Sequence, residues 1–385
     1  MRILFLAPQP FFEVRGTPLA VLAMLRVLTA AGHQVELLAY PQGEAVEVPG
    51  LRVRRSLRLP VGRVRAGPSL AKLLLDLPFA LEAAWLLLTR RYDVVHAVEE
   101  AAHLIAPIAR LKRVPLVSDV DSSIPDQLRD SGFARRGPLP WLAEALESYA
   151  LRRSAAIITV CSSLTKGVKR RAPEVPVFQI EDPPLFDAAK AATAEAVASL
   201  RAALGLGEGP VAFYSGNFEA YQGVELLVDA AGRMPEVQLL LMGGEPAQIE
   251  ALRQRAAVTG GRCVFAGIRP PTEVPTFLAL ADVLVSPRCQ GSNTPFKIYT
   301  YLAAGKPLVA TRIETHTQLL DDSLAFLVEP TASGLVLGIR AALSQPAEAS
   351  ARAAAGRALI ERAYSTARFA EKVKAAYASL AAGAA

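Results

Sequence analysis

The sequence predicts an α/β protein built from two open, doubly wound domains, and three observations carry that prediction. The chain has 385 residues, more than one ordinary hydrophobic core accommodates, so two domains are the working figure. Short, continuously apolar runs alternate with helical stretches, as they do where parallel strands are covered by helices on both faces. The alternation breaks after Asp182-Pro183-Pro184 and then starts again, which marks a second unit of the same kind. With 52% apolar and 20% charged residues the chain fills large cores and does not read as disordered.

In the first domain, strands are expected from Arg2 to Leu6, Gln34 to Ala39, Val94 to Ala97, Leu116 to Ser118, Ile157 to Val160 and Val177 to Ile180. Helices are expected from Ala20 to Ala31, Leu70 to Leu88 and Leu139 to Ser154. An Ala-rich helical stretch through Leu206 and the break G-E-G-P lead into the second domain. Its strands are expected from Val211 to Ser215, Val237 to Met242, Cys263 to Ala266, Val283 to Ser286, Pro307 to Ala310 and Ala325 to Val328. Its helices are expected from Val224 to Arg233, Pro246 to Thr259, Thr276 to Ala281 and Phe296 to Ala304. From Thr366 to Leu380 an amphipathic helix carries Phe369, Val373 and Tyr377 at helical spacing; it either caps the second domain or packs back on the first. The expected division is therefore 1–186, 187–365 and a terminal helix in 366–385.

The formal charge is +6, and its placement matters more than its size. Between Pro49 and Leu75 stand Arg52, Arg54, Arg55, Arg58, Arg63, Arg65 and Lys72, with no acid. They form either a solvated basic edge or a contact for an anionic surface. The apolar run S-L-A-K-L-L-L-D-L-P-F-A-L-E-A-A-W-L-L-L that follows favours lipid headgroups over nucleic acid, so peripheral contact with an anionic membrane is assigned to residues 52–88. Lys72, Asp76, Pro78 and Glu82 make that run a buried or interfacial helix rather than a spanning one. The opening M-R-I-L-F-L-A-P is too short for a signal peptide and lacks a small-residue cleavage pattern, so a cytoplasmic location at the inner face of a membrane is expected. Cys161, Cys263 and Cys289 are odd in number and not in metal-ligand spacing, which suits a reducing compartment and argues against structural zinc.

Two doubly wound domains facing each other enclose a cleft lined by strand ends, so residues just after strands are the site candidates. After the first strand, F-F-E-V-R-G-T-P-L-A offers Gly16 for a tight backbone, Thr17 as an N-cap and Pro18 for the first helical turn; it reads as an ordinary strand-to-helix turn or as a loop presenting N–H groups to an anion. One glycine is not a dinucleotide fingerprint. His96 ends a buried strand, where it is either a satisfied core residue or an acceptor-side group, with Glu99 and Glu100 just beyond it as contacts for an acceptor hydroxyl. Asp119, Asp121, Ser122, Ser123 and Asp126 crowd the next strand end, either as loop and cap residues or, for Asp121, as a contact to a polar substrate. Nothing elsewhere in the sequence completes a metal site with them.

In the second domain, Y-S-G-N-F-E-A-Y-Q-G-V-E-L-L-V, L-M-G-G-E and F-A-G put Gly216, Gly243, Gly244 and Gly267 at three successive strand ends. Such small residues let a flat or anionic ligand approach the backbone. A fourth strand end follows in S-P-R-C-Q-G-S-N-T-P-F-K: Gly291 to Thr294 form a loop, Pro295 starts a helix and Lys297 lies in its first turn. A cation there opposes the positive helix end, which gives Lys297 an electrostatic reason to face an anion, with Arg288 as a second candidate.

These segments resemble the family-4 type of retaining glycosyltransferases with the GT-B fold, over nearly the whole chain. The resemblance lies in M-R-I-L-F-L-A-P with the Gly16 loop, G-H-Q-V-E-L-L, Y-D-V-V-H-A, Y-S-G-N-F-E-A-Y-Q-G-V-E-L-L, L-M-G-G-E, F-A-G, and A-D-V-L-V-S-P-R with P-F-K-I-Y-T-Y-L-A-A-G-K-P-L-V-A-T. It implies two Rossmann-like domains facing across a cleft, a nucleotide-diphosphate sugar as donor on the second domain, an acceptor on the first, and no cofactor or divalent metal. It also implies that Gly16 and Thr17 lie against the donor phosphates and that Ser292, Asn293 and Thr294 offer N–H groups to the diphosphate and sugar.

The chain departs from the family pattern at functional positions. Two glutamates spaced as Ser292 and Thr300 are replaced by those residues, an Arg and a Lys by Asn217 and Gln222, and a His by Asp121. The resemblance then leaves Lys297 and Arg288 to stabilise the diphosphate leaving group, and Asp121 to bind a sugar hydroxyl or support an oxocarbenium-like carbon. The expected function is transfer of a sugar from a nucleotide sugar to an acceptor hydroxyl with retention of configuration, the acceptor a glycan of lipid-linked or envelope type. The same replacements support a rival, a GT-B-shaped binding or assembly protein without catalysis. A nucleotide-sugar epimerase of this architecture lacks an evident acid and base pair.

Overall fold

The computed structural model describes residues 1–13, 16–62, 70–123, 125, 138–185 and 192–382. Arg63, Arg65, Asp126 and the expected boundary after residue 186 lie outside the described residues. Contacts divide the chain into two units, Met1–Glu181 with Phe369–Ala385, and Asp182–Arg368.

The first unit runs β1 (Arg2–Ala7), α1 (Gly16–Ala30), β2 (Gln34–Ala39), β3 (Leu51–Arg55), α2 (Leu70–Thr89), β4 (Val94–Val98), α3 (Glu100–Lys112), β5 (Leu116–Val120), α4 (Pro138–Arg153), β6 (Ala156–Thr159), α5 (Ser162–Arg171) and β7 (Val177–Gln179). All strands are parallel, in the order β3-β2-β1-β4-β5-β6-β7. Both sheet faces are covered, which is why the central strands are mostly apolar, with His96 in β4 and Ser118 and Asp119 in β5 as buried polar exceptions. Ile3, Phe5 and Ala7 pack with α1, whereas Leu4 and Leu6 pack with α2 and α3 on the other face. α1 already includes Gly16 and Thr17, so the helix begins ahead of the residue expected to cap it.

β3 falls inside the basic segment and is missing from the expected strands. L-R-V-R-R alternates apolar and basic residues with the period of a strand, and at a sheet edge arginines also discourage further pairing. Arg54 and Arg55 are used within the unit, Arg55 donating to Gln42 O at 2.6 Å and to Glu44 O at 2.8 Å. Buried Glu36 accepts hydrogen bonds from Arg54, Arg90 and, at 2.7 Å, Tyr92. Burial pushes its carboxyl upward, but the hydrogen bonds from Tyr92 and Arg54 and the charge of Arg90 outweigh that and hold it below the usual range.

The second unit runs α6 (Ala194–Ala203), β8 (Val211–Ser215), α7 (Val224–Ala231), β9 (Gln238–Met242), α8 (Pro246–Thr259), β10 (Cys263–Gly267), α9 (Val274–Leu280), β11 (Val283–Ser286), α10 (Phe296–Ala303), β12 (Leu308–Thr311), α11 (Glu314–Thr317), β13 (Phe326–Val328), α12 (Ala332–Ser344) and α13 (Pro346–Leu359). Its parallel sheet has the order β10-β9-β8-β11-β12-β13. This is the dinucleotide-fold order, and it reverses direction between β8 and β11, the point where such sheets bind ligands.

The last helix, α14 (Thr366–Ala382), joins the core of the first unit: Phe369, Val373, Ala376 and Tyr377 are buried against residues of β1 and α1. Lys372 pairs with Glu181 at the end of that unit. Among the described residues no helix is long and apolar enough to cross a membrane.

Candidate functional site

The switch point of the second sheet gathers most of the second-domain candidates. Its glycines continue the ladder past the strand ends: the Gly216 N–H donates to Met242 O at 3.0 Å and the Gly243 N–H to Gly267 O at 2.7 Å. Gly243 has φ +118°, and a Cβ there would stand 1.9 Å from the Gly216 carbonyl oxygen. Only glycine satisfies both conditions. On the other side of the switch, a Cβ on Gly223 would meet the Pro287 carbonyl oxygen at 2.1 Å, so a glycine brings the start of α7 directly against the end of β11.

Lys297 reaches this junction from the first turn of α10. Its Nζ donates to Gln222 Oε1 at 3.1 Å and lies 3.9 Å from the centre of the Tyr214 ring. Burial, and then repulsion from Arg288, push its ammonium well below the ordinary lysine value. Among the described residues Lys297 has no carboxylate partner. A cation is thus held desolvated, next to a second cation and at the positive end of a helix, three circumstances that an incoming anion relieves together.

Arg288 is buried and shapes the loop ahead of the helix. Its Nε donates to Gln290 O at 2.7 Å and Nη2 to Asn293 Oδ1 at 2.9 Å, while its guanidinium lies 5.2 Å above the Tyr221 ring. Ser292 is held through its carbonyl, which accepts from Gln318 Nε2 at 3.2 Å, and Thr294 is buried at the loop's end. Asn217 closes its own loop, its Nδ2 donating to Tyr221 Oη at 3.2 Å and its Oδ1 accepting from the Glu219 N–H at 3.2 Å. Thr300, which stands where the family pattern has a glutamate, is turned into the unit. It is 2% exposed, and its hydroxyl oxygen accepts from the Leu185 N–H at 3.1 Å, because α10 turns it toward the segment that enters the unit.

Three supporting side chains have no signal in the sequence pattern. Tyr214 donates to Asn217 O at 2.7 Å beneath the lysine, and Tyr301 Oη accepts from the Ser215 N–H at 2.7 Å. His316 is fully buried: its Nδ1 donates to Thr311 O at 2.8 Å, leaving Nε2 to accept from Ser286 Oγ at 2.9 Å. Burial takes its pKa down to about 4, against the Thr311 hydrogen bond, and Arg288 and Lys297 add to the fall. It is a neutral brace between the ends of β11 and β12.

In the first unit the structure separates the candidates. His96 is 0% exposed, stacked on Phe5 at 4.1 Å, with both ring nitrogens engaged. Nε2 donates to Asp119 Oδ2 at 2.9 Å and Nδ1 accepts from Tyr377 Oη at 2.7 Å, so the sequence alternative of a satisfied core histidine describes it and an acceptor contact does not. Glu99 has φ 48° and accepts from Ser122 Oγ at 2.5 Å. Lys72 lies 3.8 Å from Glu99 and 2.6 Å from Glu100. Burial raises Glu100 to about 7, opposed by Lys72 and reinforced by Glu99 and Asp76. Asp121 directly follows β5 and is nearly buried at 9% exposure. Among the described residues no three His, Cys, Asp or Glu side chains are placed to hold a metal ion.

A Rossmann-like unit with a basic and glycine-rich switch point is suited to an anionic nucleotide ligand. Comparison with known proteins agrees with that class. Residues 15–180 match the glycosyl transferase 4-like domain model and residues 209–345 the glycosyl transferases group 1 model. The chain is 30% identical to the 2-deoxystreptamine N-acetyl-D-glucosaminyltransferase of Streptomyces fradiae, over 73% of this chain and 70% of that one. It is 24% identical to the phosphatidyl-myo-inositol mannosyltransferase of Mycolicibacterium smegmatis, over 86% of this chain and 81% of that one. In fold it is similar to sucrose-phosphate synthase from Thermosynechococcus elongatus, with TM-score 0.80 and 22% identity over 99% of both chains. It is also similar to HepE of Anabaena, solved with UDP-glucose, with TM-score 0.77 and 18% identity over 98% of this chain and 100% of that one. The chain belongs to the family-4 type of glycosyltransferases, whose fold is GT-B.

Proposed function

We propose that the protein transfers a sugar from a nucleotide-diphosphate sugar to an acceptor hydroxyl, with retention of anomeric configuration and without a divalent metal. The observation that carries this reading is Lys297, a desolvated cation with no carboxylate partner among the described residues, set beside Arg288 at the switch point of the second sheet. When the bond from the anomeric carbon to the diphosphate oxygen breaks, negative charge grows on the leaving group. In this reading Lys297 and Arg288 stabilise it, and backbone N–H groups at residues 292–294 complete the cradle. Gly16, Thr17, Gly216, Gly243, Gly244 and Gly267 let the donor approach the backbone, and Gln222 holds the lysine in place. Asp121 faces the donor sugar, where a carboxylate supports positive character at the anomeric carbon. Glu99 and Glu100 lie on the acceptor side.

One relative's name specifies phosphatidyl-myo-inositol and another's 2-deoxystreptamine, so similarity alone favours neither. A lipid-linked or envelope glycan fits the basic and apolar stretch 52–88, on a protein acting at the inner face of a membrane. The test is Lys297→Met, which keeps the apolar stem and removes the charge: turnover of the donor is expected to fall roughly 10²–10³-fold with the circular dichroism spectrum unchanged. Undiminished turnover would remove Lys297 from the mechanism.

A further inference from the structure

The chain has two tryptophans, Trp85 and Trp141, and both are largely exposed, at 51% and 71%. Large apolar side chains gathered on one exposed face mark a contact surface. On α2, Leu73, Leu77, Leu81, Trp85 and Leu88 repeat every three or four residues and are all exposed. The other side of the same helix, with Leu75, Phe79, Leu86 and Leu87, is buried in the core of the first unit. α2 is therefore apolar on both sides, and the fold uses one of them. α3 packs beside α2, and α4 beside α3. They add exposed Leu104 and Leu111, and exposed Leu142 and Leu146 next to Trp141.

Basic residues gather at one end of this layer. α2, α3 and α4 each run directly into one of the neighbouring parallel strands β4, β5 and β6, so their carboxyl ends line one edge. That edge carries exposed Arg91 after α2, Arg110 and Lys112 in the last turn of α3, and Arg152 and Arg153 in that of α4, against an exposed carboxylate, Asp93, while Arg90 there is paired with Glu36. Cations there also complement the helix dipoles. The apolar and basic parts are contiguous, since the Arg90 guanidinium lies 5.8 Å from the centre of the exposed Trp85 ring.

We propose that the outer face of the α2–α3–α4 layer docks on the surface of an anionic lipid bilayer. The leucines and tryptophans enter the boundary between headgroups and acyl chains, and the helix-end cations meet lipid phosphates. Lipid complements both the apolar face and its basic edge, whereas a second copy of the chain would present the same cations to itself. The contact is interfacial, and it is independent of which sugar is transferred and to what.

The experiment uses the full chain with phosphatidylcholine vesicles, with and without phosphatidylglycerol, reading co-sedimentation and tryptophan emission. Both tryptophans lie on the proposed face, so the emission reports on that face alone. The expected result is binding to the anionic vesicles at least roughly tenfold tighter than to neutral ones, with a blue shift, weakening at high salt. Leu77→Glu combined with Leu81→Glu, both at exposed positions, is expected to abolish the blue shift and the binding while leaving the melting temperature unchanged. Arg91→Glu combined with Arg110→Glu is expected to weaken anionic binding roughly tenfold or more. No binding to anionic vesicles, equal binding by the leucine variant, or a blue shift that grows with protein concentration in the absence of lipid would overturn the proposal, the last in favour of self-association. None of these readouts needs glycosyl transfer, so they stand or fall separately from the proposed reaction.

Discussion

Lys297 is held where a lysine is least comfortable, desolvated, next to Arg288 and at a helix amino end. Such a group opposes folding: its native pKa is depressed, so the unfolded chain binds the proton more tightly, and the penalty disappears only as the pH rises past the ordinary value of 10.5. Lys297→Met is therefore expected to stabilise the protein at neutral pH while it removes transfer, raising Tm by about 2–4 °C for about 1 kcal/mol. The gain should shrink as the pH approaches the lysine value. A protein that loses both stability and activity would instead make Lys297 a structural residue. Diphosphate affinity carries the opposite dependence, falling as pH rises and the lysine loses its proton.

Gly243 makes a separate prediction at the same scale. Its positive φ and the 1.9 Å approach of a would-be Cβ to the Gly216 carbonyl leave Gly243→Ala no relaxed position. The variant is expected to lose roughly 1–3 kcal/mol, read by urea denaturation, and to weaken donor binding because the ends of β8 and β9 separate. At residue scale the sequence revealed what depends on local chemistry. A cation in a first helical turn and glycines after strands are visible in one dimension. Tyr214, Tyr301 and His316 are not, since each is defined by partners brought near only by the sheet.

Among the elements, the mainly apolar strands are legible because both faces of the sheet are covered, as at β1 and β11. β3 was obscured because an edge strand alternates, and its arginines read as a charge run. α3 is hard to see because it begins immediately after Glu99 and contains Pro107. The place of α14 cannot be read from its own amphipathic face, which would suit either core; it is defined by Tyr377, whose hydroxyl meets His96. Tyr377→Phe leaves the buried imidazole nitrogen without a donor and is expected to cost about 1–3 kcal/mol in thermal or urea unfolding, with donor turnover unchanged. Lost turnover without lost stability would return His96 to the chemistry.

The pairing of α2 with the start of α3 through Lys72 and Glu100 adds a pH dependence. Glu100 is raised from the ordinary 4.5 to about 7, so its contribution to stability is fully present below about 4.5 and lost as the pH rises through about 7. Melting curves across that window should fall with rising pH by roughly 1–3 kcal/mol, and Glu100→Gln should flatten the slope. An unchanged slope in the variant would mean that another group titrates.

For the whole molecule, two Rossmann-like domains and the family were legible because they rest on repeated patterns spread along the chain. Substrate identity is not written that way. The positions where the family pattern is replaced, Ser292, Thr300, Asn217 and Gln222, engage neighbouring groups of the same unit. Metal-independent transfer with retention is tested by offering the protein UDP-, GDP-, ADP- and dTDP-sugars in the presence of EDTA and following thermal stabilisation, donor hydrolysis and the anomeric configuration of the product by NMR. At least one donor is expected to stabilise the fold, to be turned over without metal and to yield a product of retained configuration. Stabilisation with no turnover of any donor, inversion, or a strict requirement for a divalent cation would contradict it.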